Sequence, residues 1–325
     1  MQIGEIPRVR LATLPTPLEE APRLGEALGG IRLFVKRDDN TGLALGGNKA
    51  RKLEFLMADA VKQGADTVIT TGGPQSNHAR MTAAAARKLG MRPVLVLEGK
   101  KPSERQGNLL LDELLGAEVS FVPEDADLDA EMARVAERLR AGGARPYIIP
   151  LGGSSALGSI GYVLAAMEIV DQSIAAGIAP DRVYTSGGSG GTLAGLLLGM
   201  KVFAPQVAVW GISVGRREPD LIQRIVRKAE EAARLAGLPV SVTEDDVHVD
   251  DDYVGPGYGI PSPECIKAIR LAAETEGLIL DPVYTGKTLA GLAGHVKRGL
   301  VRSGETVVFL HTGGAPGLFA YSEWF

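Results

Sequence analysis

The sequence predicts an α/β protein built on parallel sheets covered by helices. Short β-branched runs alternate with longer Ala/Leu/Glu-rich runs along most of the chain, which is the pattern of successive βαβ units. Pairs of glycines fall just beyond several strand-like runs, where loops at strand ends belong. The length, 325 residues with 45% hydrophobic and 23% charged side chains, suffices for two lobes or one large unit with a substantial core.

Taken in order, IRLFVKR (31–37) reads as a strand and NKARKLEFLMADAVKQG (48–64) as a helix. The same alternation pairs TVITT with SNHARMTAAAARKLG, PVLVLE with PSERQGNLLLDELLG, EVSFV with DAEMARVAERLRAGG, and PYIIP with SALGSIGYVLAAMEIV. A second series runs RVYTS, TLAGLLLGMKVF, VAVWGI and PDLIQRIVRKAEEAARLAG, then a Gly/Pro-rich stretch, the helix PECIKAIRLAAETEG and the strand TVVFL. No flexible linker divides the two series, so the chain is expected to cross between lobes near Gly46-Gly47 and again within 152–161. Gly72-Gly73, Gly152-Gly153, Gly187-Gly188 and Gly313-Gly314 each follow a strand-like run. Ligands of open α/β sheets sit beyond the carboxyl ends of strands, so these four turns point to one shared site.

Charge and composition narrow the function classes. Lys and Arg number 35 against 39 Asp and Glu, a net charge of −4, which speaks against a basic nucleic-acid binder. The first twenty residues lack a charged segment followed by an apolar one, so no secretion signal is expected, and no apolar run reaches the roughly 18 residues of a membrane helix. Cys265 is the single cysteine and lies among Ile266, Ile269 and Leu271, which predicts a structural thiol and suits a reducing cytoplasm. His78, His248, His295 and His311 show no ligand spacing, and no metal is expected.

Ser186-Gly187-Gly188-Ser189-Gly190-Gly191-Thr192 joins a strand-like run to a helix-like one, where consecutive N–H groups and the positive helix end can hold a phosphate. It is neither a Walker loop nor a dinucleotide fingerprint, since no Gly-Lys-Ser/Thr follows and position 193 is Leu193. Its structural alternative is a tight turn without ligand. Gly46-Gly47-Asn48-Lys49 opens a helix with a lysine; a lysine there is ordinarily solvated, and burial would make it usable for a Schiff base. Arg51 and Lys52 follow and would add positive charge near a phosphate. Gln75-Ser76-Asn77-His78 starts another helix, where Ser76 or Asn77 is an N-cap and the cluster of short donors suits a carboxylate; His78 is equally readable as a satisfied helix residue. Tyr258 and Tyr284 lie in turn-like segments flanked by Gly or Pro, positions that fit packing against a core edge as well as catalysis.

Together KRDDNTG, GGNKARKLE, QSNHAR, SGGSGGTLAG, DPVYTGK and HTGGAPGLF resemble the pyridoxal-phosphate enzymes of the tryptophan-synthase-β fold type. More narrowly they resemble the 1-aminocyclopropane-1-carboxylate deaminase / D-cysteine desulfhydrase family, in the family's order from about Lys36 to Phe319. The resemblance implies pyridoxal-phosphate fold type II: two lobes, each a three-layer α/β/α arrangement with twisted, mostly parallel sheets. It implies a large cofactor-binding domain of 1–48 plus 161–325 and a smaller α/β domain of 49–160. It further implies that Lys49 carries pyridoxal 5'-phosphate as a Schiff base, that the loop from Ser186 to Thr192 holds the phosphate, that Asn77 contacts the phenolic oxygen, and that Thr312 faces the pyridine nitrogen. Ser76, Asn77 and His78 would meet the substrate carboxylate, with Tyr258 and Tyr284 over the reacting carbons.

Ring-opening deaminases of that family carry Glu after the DPVY tyrosine and Gln after Ser-Asn; here Thr285 and His78 stand there, and GGSSALGSIGYV (152–163) likewise resembles the desulfhydrase side. The activity implied is α,β-elimination from D-cysteine by a cytoplasmic homodimer acting on a free amino acid, without nucleic-acid or membrane partner. Deamination of the cyclopropane substrate and elimination of sulfite from L-cysteate are the enzymatic alternatives, and a non-catalytic cofactor carrier or amino-acid sensor is the alternative of another class.

Overall fold

The computed structural model describes residues 3–325. Met1 and Gln2, the start of the first expected lobe, lie outside the described residues. The strands are β1 (Leu18–Glu20), β2 (Arg32–Lys36), β3 (Thr67–Gly72), β4 (Arg92–Glu98), β5 (Glu118–Val122), β6 (Pro146–Ile148), β7 (Arg182–Gly187), β8 (Ala208–Ser213), β9 (His248–Asp250) and β10 (Thr306–Leu310). The helices are α1 (Pro22–Ala27), α2 (Lys49–Lys62), α3 (Asn77–Lys88), α4 (Gly107–Leu114), α5 (Leu128–Ala141), α6 (Ala156–Ala175), α7 (Gly191–Phe203), α8 (Glu218–Ala236), α9 (Pro263–Glu276), α10 (Thr285–Lys297) and α11 (Ala315–Leu318).

The strands form two sheets, in the orders β1-β2-β10-β7-β8-β9 and β5-β4-β3-β6. Every pairing is parallel except β1 with β2. Parallel strands need crossover helices, and these cover both faces. In the larger sheet Val183, Val209 and Val308 face α6, α7 and α8, whereas Tyr184, Val307 and Phe309 face α1, α9 and α10. In the smaller sheet Val68 packs against α2 and α3, while Ile69, Val94 and Val96 meet Met132 and Val135 of α5. This is the three-layer α/β arrangement that the sequence predicts. No helix among the described residues is long and apolar enough to cross a membrane.

Two features depart from the sequence reading. The segment DPVYTGK is not merely a turn, because Thr285 begins α10. Gly286, Gly291 and Gly294 weaken its helical signal, yet side chains there would run into Cys265 Sγ (2.7 Å), Ile212 (2.6 Å) and the Tyr253 ring. Tertiary packing therefore selects the glycines. The three-residue strands β1 (LEE) and β9 (HVD) lack the apolar run that marks the equally short β6, and they are not legible in the sequence.

Candidate active site

A cavity of about 340 Å³ opens where strand ends of the two sheets face each other. Lys49, Ser76, Asn77, His78, Ser186, Gly188, Ser189, Gly190, Thr192, Tyr258, Tyr284 and Thr312 all line it; Gly187 and Gly191 belong to the same loop but do not line it. Of the glycine pairs at strand ends, Gly72, Gly73, Gly152 and Gly188 line the cavity, and Gly313 packs on Gly47 beside it.

Lys49 is the first residue of α2. The turn before it can be built only with glycine at position 46, whose φ is +73° and where a Cβ would run into the Asp39 carbonyl. Asn48 N donates to Thr312 O (3.0 Å) and Asn48 Nδ2 donates to Thr192 Oγ1 (3.0 Å), so one residue ties the lysine turn to two other parts of the wall. Lys49 Nζ lies 6.0 Å from the centre of the Tyr284 ring. Burial lowers its pKa to about 8, against a smaller opposing pull from Asp281. Lowering of this kind makes an amine available as a nucleophile or base near neutrality.

The loop from Ser186 to Thr192 ends at the N-terminus of α7, with Gly190 left-handed at φ +89°. Ser186 Oγ is 2.8 Å from Thr288 Oγ1, and the Thr288 hydroxyl donates to Tyr284 O (2.9 Å), so Ser186 is the donor and is tethered to α10. Lys52 lies immediately behind: its Nζ is 3.1 Å from where a Cβ on Gly191 would stand. Lys52 is buried with no ion pair among the described residues, its amine donating only to Gly152 O (3.3 Å). Burial, with Lys49 and Lys228 nearby, holds its pKa well below the usual range. Arg51, expected to strengthen the same charge, instead turns away to Asp38 (2.8 Å) and Glu168 (2.8 Å). Residues 49 and 52 share a helix face that position 51 does not.

At the start of α3, Ser76 caps the helix by accepting from Ala79 N (3.1 Å). Asn77 Oδ1 accepts from Asn108 Nδ2 (2.9 Å). His78 is buried beside them, with Nε2 2.8 Å from Thr70 Oγ1 and Nδ1 3.5 Å from Thr82 Oγ1. Because the Thr70 hydroxyl donates to Ile149 O (2.8 Å), His78 Nε2 is the donor in that pair. Burial, then Lys49 and Lys52, push the imidazole pKa far down and keep the ring neutral.

Tyr258 and Tyr284 hydroxyls are 2.6 Å apart, with rings edge to face at 6.1 Å. Desolvation of the hydroxyls raises both pKa values, so the pair stays protonated. Asp281 fixes Tyr284 by accepting from the backbone N–H groups of Val283 (3.0 Å), Tyr284 (2.9 Å) and Thr285 (2.9 Å). Thr285 itself does not line the cavity; its hydroxyl donates to Asp281 Oδ1 (2.7 Å). Cys265 is buried, donates to Pro282 O (3.3 Å) and has its thiol pKa pushed up to about 12, as a structural thiol should.

Sequence reasoning missed Asn48, Glu98, Leu128 and Arg216 on the wall. Asn48 had a local signal, being next to Lys49 in the glycine turn. Glu98 ends β4, Leu128 begins α5 and Arg216 lies in the loop after β8, with no motif to mark any of them.

The family model described as pyridoxal-phosphate dependent enzyme matches residues 9–313. This chain belongs to that family. D-cysteine desulfhydrases of Salmonella choleraesuis strain SC-B67 and Salmonella typhi are 44% and 43% identical to it over 324 residues, covering 98% of this chain and 97% of each relative. A crystal structure of an ACC deaminase homologue is 41% identical, with a TM-score of 0.91 over 99% of this chain and 96% of that one. A pyridoxal 5'-phosphate-dependent aspartate racemase shares the fold at 16% identity, with a TM-score of 0.68 over 92% of this chain and 90% of the other.

The residues present fit pyridoxal phosphate. A phosphate seated on the N–H groups of residues 187–192 would neutralise the otherwise uncompensated Lys52, whose amine lies close behind Gly191.

Proposed function

We propose that this chain is a D-cysteine desulfhydrase, a lyase that converts D-cysteine and water to pyruvate, ammonia and hydrogen sulfide. The observation that carries the reading is a cavity with a low-pKa amine, Lys49, on one side of a protonated hydroxyl pair, Tyr258 and Tyr284. When bound, pyridoxal phosphate supplies an electron sink for charge developing at the amino acid's α-carbon. Lys49 holds that cofactor and, as a free amine, takes the α-proton. Ser76 and Asn77, at the positive end of α3 and with His78 beneath them, orient the substrate carboxylate. Tyr284, hydrogen-bonded to Tyr258, delivers a proton to the departing sulfur. The loop from Ser186 through Gly187, Gly188, Ser189, Gly190 and Gly191 to Thr192 anchors the phosphate together with Lys52, Asn77 faces the phenolic oxygen, and Thr312 faces the pyridine nitrogen.

Thr285 supports elimination over ring opening, since its hydroxyl is committed to Asp281 and leaves the cavity without an acid or base at that position. Product release from D-cysteine, L-cysteine, L-cysteate, D-serine and 1-aminocyclopropane-1-carboxylate tests the reading. Pyruvate and sulfide should form fastest from D-cysteine; faster 2-oxobutanoate from the cyclopropane substrate, or no turnover of any of them, overturns it.

The same reading includes a cytoplasmic homodimer, with pyridoxal phosphate and a small amino acid as its ligands. A monomeric mass by light scattering at micromolar concentration would remove that part.

A further inference from the structure

Asn108, on α4, is buried and lies outside the cavity wall, yet its hydrogen bonds determine what the wall presents. Its Nδ2 donates at once to Gln75 O (2.9 Å) and to Asn77 Oδ1 (2.9 Å). Gln75 O is a backbone carbonyl and can only accept, so the amide end of Asn108 must face it. The group of Asn77 that meets this amide must then also be an acceptor, its Oδ1. That leaves the Asn77 Nδ2 donor for the cavity, which Asn77 lines. Gln75 is fixed by backbone groups as well: its Oε1 accepts from Asn108 N (2.8 Å) and its Nε2 donates to Gln106 O (3.0 Å). A flip at any one carboxamide would set donor against donor or acceptor against acceptor.

The arrangement leaves Asn108 Oδ1 buried without a partner. Buried acceptors are normally paired, and an orphan of this kind marks a constraint that outweighs local satisfaction.

We propose that Asn108 is a positioning residue that orients the Asn77 carboxamide so that a hydrogen-bond donor, not an acceptor, faces the cofactor's phenolic oxygen. This rests on the reading that Asn77 touches the cofactor. Asn108→Asp replaces the donor with an acceptor, so Asn77 turns its Nδ2 toward position 108 and shows Oδ1 to the cavity. Asn108→Ala frees Asn77 to turn either way and guards against a folding defect in the charged variant.

The experiment measures the dissociation constant for pyridoxal phosphate and the pH profile of the loaded enzyme's visible absorption band in Asn77→Ala, Asn108→Asp, Asn108→Ala and the double variant Asn77→Ala/Asn108→Asp. Loss of a hydrogen bond to a charged oxygen should weaken cofactor binding by roughly tenfold or more. Asn77→Ala and Asn108→Asp should both do so and should both shift the band's pH profile, Asn108→Ala should do so to a lesser extent, and the double variant should be no worse than Asn77→Ala alone. Equal damage from Asn108→Asp with and without Asn77 overturns the proposal. So does a lowered melting temperature in both Asn108 variants with the dissociation constant and band unchanged. If Asn77→Ala itself changes neither, the reading of Asn77 fails and takes the proposal with it; if Asn77→Ala changes both while the Asn108 variants are silent, only the proposal falls.

Discussion

Lys49 has a pKa near 8 because the folded chain buries its amine, and a free lysine would titrate near 10.5. Only the neutral amine reacts with a carbonyl. Capture of pyridoxal phosphate by the apoenzyme should therefore accelerate with rising pH through about 8 and level off above it. Stopped-flow absorbance checks this, and a midpoint near 10 would mean that the amine is solvated. Lys49→Ala should abolish the visible band. At Tyr284, replacement by Phe removes one hydroxyl of the 2.6 Å pair while keeping the ring beside Lys49. A positioned acid contributes roughly 10²- to 10⁴-fold, so turnover should fall in that range with the visible band retained. Full activity in Tyr284→Phe would return this residue to a packing role.

At the scale of elements, the N-termini of α7 and α10 make different demands on their residues. A methyl group on Gly191 would stand 2.5 Å from Ser154 Oγ and 3.1 Å from Lys52 Nζ, whereas one on Gly188 would meet Tyr284 Cε1 at an ordinary 3.5 Å. Overpacking costs about 1–3 kcal/mol, so Gly191→Ala should loosen pyridoxal phosphate by about tenfold and Gly188→Ala by clearly less, as equilibrium dialysis would show; the reverse order would contradict this geometry. Thr285→Val removes a hydroxyl that both donates to Asp281 Oδ1 and accepts from Asp281 N (2.7 Å). It should cost about 1–3 kcal/mol in denaturant melts without changing cofactor affinity. What the sequence disclosed follows the same division. The α7 loop was legible because its seven small residues sit at a strand-to-helix junction, and the β-α alternation exposed most strands because parallel sheets are apolar on both faces. The α10 start was not, since its glycines are chosen by contacts with Ile212, Tyr253 and Cys265 far away in sequence. Arg51 and Lys52 looked alike as charges; the helix face each occupies, and the carboxylates that await one of them, appear only in three dimensions.

Across the whole molecule, α2 is the member that joins the two tasks of stability and chemistry. On one side it sends Lys49 and Lys52 toward the cavity; on the other, Arg51 enters a buried network with Asp38 from the loop after β2 and Glu168 from α6, where Lys36 of β2 also binds Glu168. Tyr162 donates to Asp38, and Thr16 N donates to Glu168 Oε1 (2.9 Å), so segments far apart in sequence converge on two carboxylates. Hydrogen bonds and charge from Arg51 and Lys36 outweigh burial and hold Glu168 at a pKa of about 2, against 4.5 for a free side chain. Between those values the unfolded chain binds the proton and the folded chain does not, so the stabilisation from Glu168 is complete above about pH 4.5 and drains away as pH falls toward 2. The shift corresponds to a contribution on the order of 3 kcal/mol, and removing one charge from a buried cluster strands its partners at a comparable cost. Glu168→Gln should therefore lower the unfolding free energy by about 3 kcal/mol in urea titrations at pH 7, with the difference from wild type narrowing steadily between pH 4.5 and 3. A difference that is the same at pH 3 as at pH 7 would show that the glutamine perturbs packing and that the charge of Glu168 contributes nothing to holding α2 in place.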